Sequence, residues 1–344
     1  MHRLWKRLHS VAEPCPYDSH RVSKSSPGCA FHAGGEALSS LICGSMSLLR
    51  SLFFSSECPR VPCRLLGPVL IAVFSLAASV SVEASPAHVL RVMTFNVRVP
   101  VARDGVHVWP KRRDLLLRVI RAQRPDVLGT QELTEAQGRY MAAHLPGYAW
   151  FGQGREGGVK GEHMGVFYRI DRLKVLASGD FWLSDTPRVP GSRTWGQPYP
   201  RMVTWARFRL RGEGSVFYYF NTHFPYRQQD VEARRRSADE VLGRIAGLPA
   251  TARVVLTGDF NSAASSALHA RLARALDDAW MHAKRRTGPA GTFHGFTGRP
   301  ARRIDWILTR GFTPREVHTV TTHEKTAYPS DHFPVVAILA FDGD

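Results

Sequence analysis

The sequence predicts an α/β fold in which two β-sheets pack together with helices flanking them, within a single domain over residues 85–344. Three observations carry that expectation. Ten segments read as strands and only four as helices, whereas a single parallel sheet would alternate the two strictly. Several apolar runs rich in β-branched residues stop at a polar island, and a carboxylate or amide has no reason to lie inside a buried strand. Apolar residues make up 44% of the 344-residue chain, ample for a substantial core.

From the N-terminal side, VLRVMTFN at 89–96 reads as a strand ending at Asn96. A helix over 110–123 opens with Pro110, suited to a first turn, and lines up Leu116, Val119 and Ile120 on one face. The strand DVLGTQ at 126–131 runs out at Glu132, and a helix at 134–144 starts from Thr134 as its cap. Segment 152–163 is Gly-rich and reads as a mobile loop; it does not sit between a strand and a helix, as a dinucleotide-binding motif would. Strands follow at 165–170, 173–183, 202–210 and 215–222, the last carrying Phe217-Tyr218-Tyr219-Phe220 as core. The helix at 228–247 turns Val231, Ala238, Val241, Leu242 and Ile245 inward. A strand at 253–258 leads to Asp259 and Asn261, a helix is expected at 263–277, and strands at 303–308, 315–322 and 334–341 complete the chain.

The formal net charge is +17, carried mostly by arginines spread along the chain; the longest cluster is Arg234-Arg235-Arg236. Charge of this kind speaks to attraction for polyanions and not to chemistry. All five cysteines (Cys15, Cys29, Cys43, Cys58 and Cys63) precede residue 64, so the domain has no disulfide partner and no thiolate zinc site. Residues 1–84 read as a leader. Arg60 and Arg64 precede an uncharged apolar run at 65–80, and Val82-Glu83-Ala84 supplies a cleavage site after Ala84. An exported protein, periplasmic or secreted, is expected, with an uncleaved membrane anchor as the alternative. Met46 is the expected true start, which N-terminal sequencing of the native protein tests.

The islands carry the chemistry. GDFN at 258–261 offers a carboxylate and an amide after a strand, although Asp and Asn also serve plain turns there. SDHFP at 330–334 places Asp331 beside His332, with Pro334 fixing the backbone ahead of a strand. A histidine needs a partner to set its tautomer. Asp305, among Ile304, Trp306, Ile307 and Leu308, would otherwise be buried unpaired. NTHF at 221–224 adds His223, and Glu132 competes with a plain solvated residue at a helix start.

Together FNVR, QE, NTH, GDFN, RIDWI and SDHFP resemble the endonuclease/exonuclease/phosphatase superfamily over about 90–340. Trp109 followed by Arg112-Arg113 is most similar to its nocturnin-type, deadenylase-related branch; FWLSDTP, PRMVTWA and TFHGF are similar to a bacterial subgroup of that branch. The resemblance implies a four-layered α/β sandwich of the deoxyribonuclease I type. It also implies Glu132 as principal Mg²⁺ ligand, with Asn96 and Asp331 beside it. Asp259 would position or deprotonate the attacking water, Asn261 would donate to phosphate, His332 would pair with Asp305, and His223 would bind phosphate or protonate the leaving group. Arg201 and His294 are expected as further phosphate contacts. Mg²⁺, with Mn²⁺ as substitute, suits this oxygen-rich set, since Mg²⁺ is typically held by one or two carboxylates.

The function so implied is an exported Mg²⁺-dependent phosphoesterase using in-line attack of water on a phosphodiester or phosphomonoester, with a nucleic acid favoured as substrate and 3′–5′ exonuclease action as one form of it. Phospholipid or sphingomyelin phosphodiesterase and small-molecule phosphatase are the alternatives on the same fold. A catalytically inactive binding module is the alternative of another class.

Overall fold

A computed structural model of the chain describes residues 89–343. The leader expected over 1–84, with its apolar run, cleavage site and five cysteines, lies outside the described residues. Among the described residues no helix is long and apolar enough to cross a membrane.

The first sheet has seven strands in the order β10 (Arg285–Thr287), β12 (Phe312–Thr319), β13 (Val335–Phe341), β1 (Val89–Asn96), β2 (Val127–Gln131), β4 (Val166–Arg169) and β3 (Tyr148–Phe151). The second has six: β5 (Leu173–Trp182), β6 (Met202–Leu210), β7 (Val216–His223), β8 (Arg253–Asp259), β11 (Asp305–Arg310) and β9 (Asp277–Asp278). Both are mixed, with β1 parallel to β2 and β7 parallel to β8 among antiparallel neighbours.

Side-chain alternation along β1 explains the layering. Leu90 and Val92 join the core between the sheets, with Phe208, Phe217, Tyr219, Val255 and Ile307 from the second sheet. Met93 and Phe95 point the other way, onto α1 (Trp109–Gln123) and α2 (Glu135–His144), where they meet Leu116, Ile120 and Met141. Helix α3 (Val231–Ala246) buries Ala238, Val241 and Ile245, and its Arg244 guanidinium lies 4.7 Å over the Phe181 ring of β5. The result is the expected α/β sandwich, two mixed sheets with helices outside.

The polar core between the sheets is specific. Gln131 Nε2 donates to Asn221 Oδ1 (2.7 Å), Asn221 Nδ2 donates to the Thr130 carbonyl (2.8 Å), and the Tyr219 and Thr257 hydroxyls are 2.7 Å apart. Gly129 lets these groups meet, because a Cβ there would lie 2.4 Å from Asn221 Oδ1 and 2.6 Å from the Tyr219 hydroxyl.

Several expected boundaries move. The helix expected at 263–277 is only α4 (Ala267–Leu272), because the Ser266 hydroxyl accepts from the His269 N–H and caps a later start. Beyond it the chain turns into β9 and the short α5 (Ala279–His282). The strand expected at 315–322 lies at Phe312–Thr319, begun directly after a turn at Gly311 (φ 74°) and bulged between Pro314 and Glu316. That expected at 303–308 runs Asp305–Arg310. Strands β3, β9 and β10 were not expected.

Candidate active site

The strand register brings the polar islands together. In the second sheet His223, Asp259 and Asp305 lie side by side on β7, β8 and β11, with His223 opposite Asp259 and Asp259 opposite Asp305. In the first sheet Asn96 is opposite Gln131 at the ends of β1 and β2, and Glu132 follows at once. Strands β7, β8, β1 and β2 finish at this rim, while the antiparallel β11 and β13 start from it. That is why Asp305 opens its strand and Asp331-His332 shortly precede theirs.

Two hydrogen-bonded links cross the seam between the sheets. Asn96 Nδ2 donates to Glu132 Oε1 and to Asp259 Oδ2, each at 3.1 Å. His332 Nδ1 donates to Asp305 Oδ2 at 2.9 Å, which leaves Nε2 facing Asp259 Oδ2 at 3.8 Å. The expected histidine–aspartate pair is therefore present.

Each group is oriented by main chain or by a neighbour. The Val99 N–H donates to Glu132 Oε2 and the Asn261 N–H to Asp259 Oδ1. Asn261 Nδ2 donates to the Phe224 carbonyl and to His223 Nε2, so that imidazole accepts at Nε2 and carries its proton on Nδ1. Six non-glycine residues among those described have left-handed φ, and three of them, Arg98, Glu132 and Asn261, belong to this site. Such backbone strain is held where the surroundings dictate it. Glu132 thus leaves its strand by a left-handed step, while Thr134 starts α2 with a capping box to Gln137. The cap at Thr134 is therefore as expected, but Glu132 is no solvated residue at a helix start, since it is largely buried and hydrogen-bonded by Asn96 and the Val99 N–H.

Burial and charge set the protonation states. Burial works against the Glu132 charge, but the Val99 N–H, His332 and Arg98 hold its carboxyl below the usual range. Burial, reinforced by Asp305, pushes Asp259 up to about 7. Burial alone would lower His332, yet Asp305, then Asp259 and Asp331, raise it to about 10. Burial, then Arg201 and Arg155, drives His223 well below its ordinary value, so it is neutral.

The sequence reading missed several members. Arg98 Nη1 stands 3.5 Å from Asp331 Oδ2 and 3.8 Å from Glu132 Oε2. Arg112, buried in α1, donates to the carbonyls of Val97, Arg98, His107 and Pro329, and so ties together the two segments that carry Asn96 and Asp331. Arg98 sat within the quoted FNVR, and Arg112 within the Trp109 motif, but neither pattern discloses a partner. Arg155, Glu162, Tyr199 and Tyr226 also line a cleft of about 520 Å³ that holds Arg98, Glu132, Arg201, His223, Asp259, Asn261, Asp331 and His332. Segment 152–163 is indeed a loop, and its Arg155 and His163 are buried.

Arg201 is among the residues that line the cleft, buried with Nη1 lacking a hydrogen-bond partner. His294 is not. Its ring stacks on Phe333 (4.0 Å) behind the cleft, Nδ1 accepts from the Gly298 N–H, and burial lowers its pKa to about 4. Its main-chain N–H donates to the Asp331 carbonyl, and its ring Nε2 is buried without a hydrogen-bond partner.

The donor set fits a hard divalent cation. Asp259, Asp305 and His332 place potential ligand atoms within 4.8 Å of one another. The carboxylates of Glu132 and Asp331 already converge on a cationic guanidinium, that of Arg98. Oxygen donors of this kind suit Mg²⁺.

A model of the endonuclease/exonuclease/phosphatase family matches residues 93–332. The mannosyl-6-phosphatase of Bacteroides thetaiotaomicron is 32% identical, with a TM-score of 0.69 and coverage of 73% of this chain and 100% of that one. An uncharacterised protein of Acanthamoeba polyphaga mimivirus is 30% identical over 170 residues, 46% of this chain; the chain spans only 61% of that relative. The human nocturnin catalytic domain, at 18% identity and a TM-score of 0.58 over 74% of this chain and 94% of its own, is alike in fold alone. The bacterial phosphatase is therefore the nearer of these two structures, and nocturnin the more distant.

Proposed function

Starting from the premise that this chain belongs to the endonuclease/exonuclease/phosphatase family of metal-dependent phosphoester hydrolases, we propose that it is an Mg²⁺-dependent phosphatase of small phosphomonoesters, sugar phosphates foremost. The observation that carries this reading is the cleft itself. Its volume of about 520 Å³ lies within the range of small-molecule sites, roughly 300–1,000 Å³, and its rim groups stand in the same cleft as the carboxylates. The 32% identity with a mannosyl-6-phosphatase, matched over that protein's full length, supports the same substrate class.

In this reading Glu132 and Asp331, with Asn96 beside them, would hold the cation, and the adjoining cluster of Asp259, Asp305 and His332 is kept for proton transfer. Asp305 holds His332 Nδ1 with Oδ2 and so orients that imidazole, while its Oδ1 has no hydrogen-bond partner. When bound, the cation neutralises phosphoryl charge and acidifies water. Asp259, with Oδ1 fixed by the Asn261 N–H and a pKa near 7, accepts the proton of the attacking water. His332, kept charged by Asp305, is the wrong partner for that proton and serves as donor to the leaving oxygen. Arg201 and the neutral His223 Nδ1–H, both with an unpartnered buried nitrogen, receive phosphoryl oxygens.

A 3′ nucleic-acid end is the second reading, favoured by the net charge of +17. A panel of sugar phosphates, nucleotides, oligonucleotides and sphingomyelin with Mg²⁺ or Mn²⁺ separates the two. Higher kcat/KM on sugar phosphates is expected; a tenfold preference for oligonucleotides would reverse the order. Export is proposed with this function, and N-terminal sequencing of the native protein checks it.

A further inference from the structure

Among the cleft side chains that the hydrolytic steps leave unused, four are linked by direct contacts. Two of them, Arg155 and Glu162, come from the Gly-rich loop 152–163. That loop is built to hold them. The Arg155 N–H donates to the Glu162 carbonyl (2.8 Å), the Gly154 N–H to the Gly158 carbonyl (2.7 Å), and the Trp182 indole N–H to the Arg155 carbonyl (2.6 Å). Arg155 Nη1 then meets Glu162 Oε2 at 2.8 Å, with the two side chains only 9% and 14% exposed. An ion pair taken this far out of water returns little stability, so its placement in a cleft calls for another use. Arg155 Nε is buried with no hydrogen-bond partner.

The other two are Tyr199 and Tyr226. They are the aromatic members among the exposed large apolar side chains of the described residues, at 44% and 51% exposure. Their rings stack at 6.4 Å and 25°. Arg155 lies 4.5 Å over the Tyr199 ring, and the phosphate-facing Arg201 lies 6.0 Å from the Tyr226 ring. The cleft therefore gathers an anion-binding arginine, two exposed tyrosines and a paired acceptor and donor in one space.

That set of groups matches the chemistry of a phosphorylated pyranose, with a charged end, an apolar C–H face and neighbouring hydroxyls that both donate and accept. We propose that Tyr199, Tyr226, Arg155 and Glu162 form the leaving-group subsite and that it takes a pyranose ring. The rings pack on the sugar face while Glu162 accepts from, and Arg155 donates to, adjacent hydroxyls. This rests on the phosphomonoesterase reading above, and it assigns selectivity to residues outside the hydrolytic set.

The test compares mannose 6-phosphate with methyl phosphate, which lacks the ring. Glu162→Gln and Tyr226→Ala should each raise KM for mannose 6-phosphate by about 10- to 100-fold with kcat nearly unchanged. Methyl phosphate should be hydrolysed as by the wild type. Equal loss on both substrates would make these residues structural and overturn the proposal. So would a Tyr226→Ala defect confined to AMP with Glu162→Gln indifferent, since the tyrosines would then serve a nucleobase. Calorimetry on the Mg²⁺-loaded His332→Ala variant decides independently of turnover. Mannose 6-phosphate should bind at least tenfold tighter than inorganic phosphate, and adding Glu162→Gln should erase the difference. If no phosphomonoester is hydrolysed but that difference is seen, the reaction assignment fails and the subsite stands; no difference removes the subsite.

Discussion

Replacing Arg112 by Met should unpin the active site from below. The guanidinium is 1% exposed and donates to four carbonyls, those of Val97 (2.6 Å), Arg98 (2.5 Å), Pro329 (2.9 Å) and His107 (3.0 Å), with no carboxylate partner. Burial lowers its pKa to about 10, countered in part by Asp331, so it is still charged at neutral pH. Methionine fills much of the volume but donates nothing. The Arg98 carbonyl keeps a second donor, Gln137 Nε2, so the loss falls on Val97, Pro329 and His107. Hydrogen bonds from a charged donor contribute about 1.5–3 kcal/mol each, so the loss of the two fully buried ones starts at about 3 kcal/mol and is bounded near the usual ceiling for a single substitution, about 5 kcal/mol. For a domain of this size that lowers Tm by roughly 6–20 °C. Asn96, Arg98 and Asp331 sit next to the freed carbonyls, and a misplacement of about 1 Å can cost on the order of 100-fold in kcat. Thermal unfolding by circular dichroism, with kcat on the best phosphomonoester, reads both effects. Arg112→Lys should recover little, because one ammonium cannot span carbonyls on two segments. A Tm within about 2 °C of wild type and unchanged kcat in Arg112→Met would refute the reasoning.

Three further outcomes are expected. Glu132→Gln, or EDTA treatment of the wild type, should lower turnover by about 10³-fold, read under saturating substrate; near-normal activity in either case would remove the cation from the reaction. Asp259 is held protonated up to about 7, and a bound cation favours its charged form. Apparent Mg²⁺ affinity should therefore fall as pH drops below 7, by roughly tenfold between pH 8 and pH 6, and calorimetry on Asp259→Asn should show a flatter dependence. Gly129→Ala would drive a methyl group to within 2.6 Å of the Thr257 hydroxyl and closer still to Asn221, which should destabilise by about 1–3 kcal/mol, seen as a lower urea midpoint.

The long strands were legible because burial on both faces gives continuous apolar runs, as in β1, β8 and β13. The polar islands were legible for the complementary reason: Asn96, Asp259 and His332 interrupt those runs where they should end. Strands β9 and β10 carry two and three residues, too few for a period, and the half-buried β3 (YAWF) has no alternation to detect. A run of alanines and leucines made 263–277 look like one helix, whereas a single side-chain bond at Ser266 sets where it starts. His294 was misplaced because its motif recorded only proximity to the site, which its main chain satisfies. Arg112 and Arg155 escaped notice for a common reason. Their partners are carbonyls, rings and a carboxylate brought near by folding, and arginines in a chain of charge +17 stand out only once those partners are visible.

The two polar ties across the sandwich, Asn96 to Asp259 and His332 to Asp305, also bear on how the protein comes into being. Neither half owns a working centre, so a nascent molecule with only one half formed has nothing with which to react. Recovery of turnover after dilution from urea should then lag behind the return of secondary structure and keep pace with the docking of the halves, which makes enzymatic competence a clock for the last step of assembly.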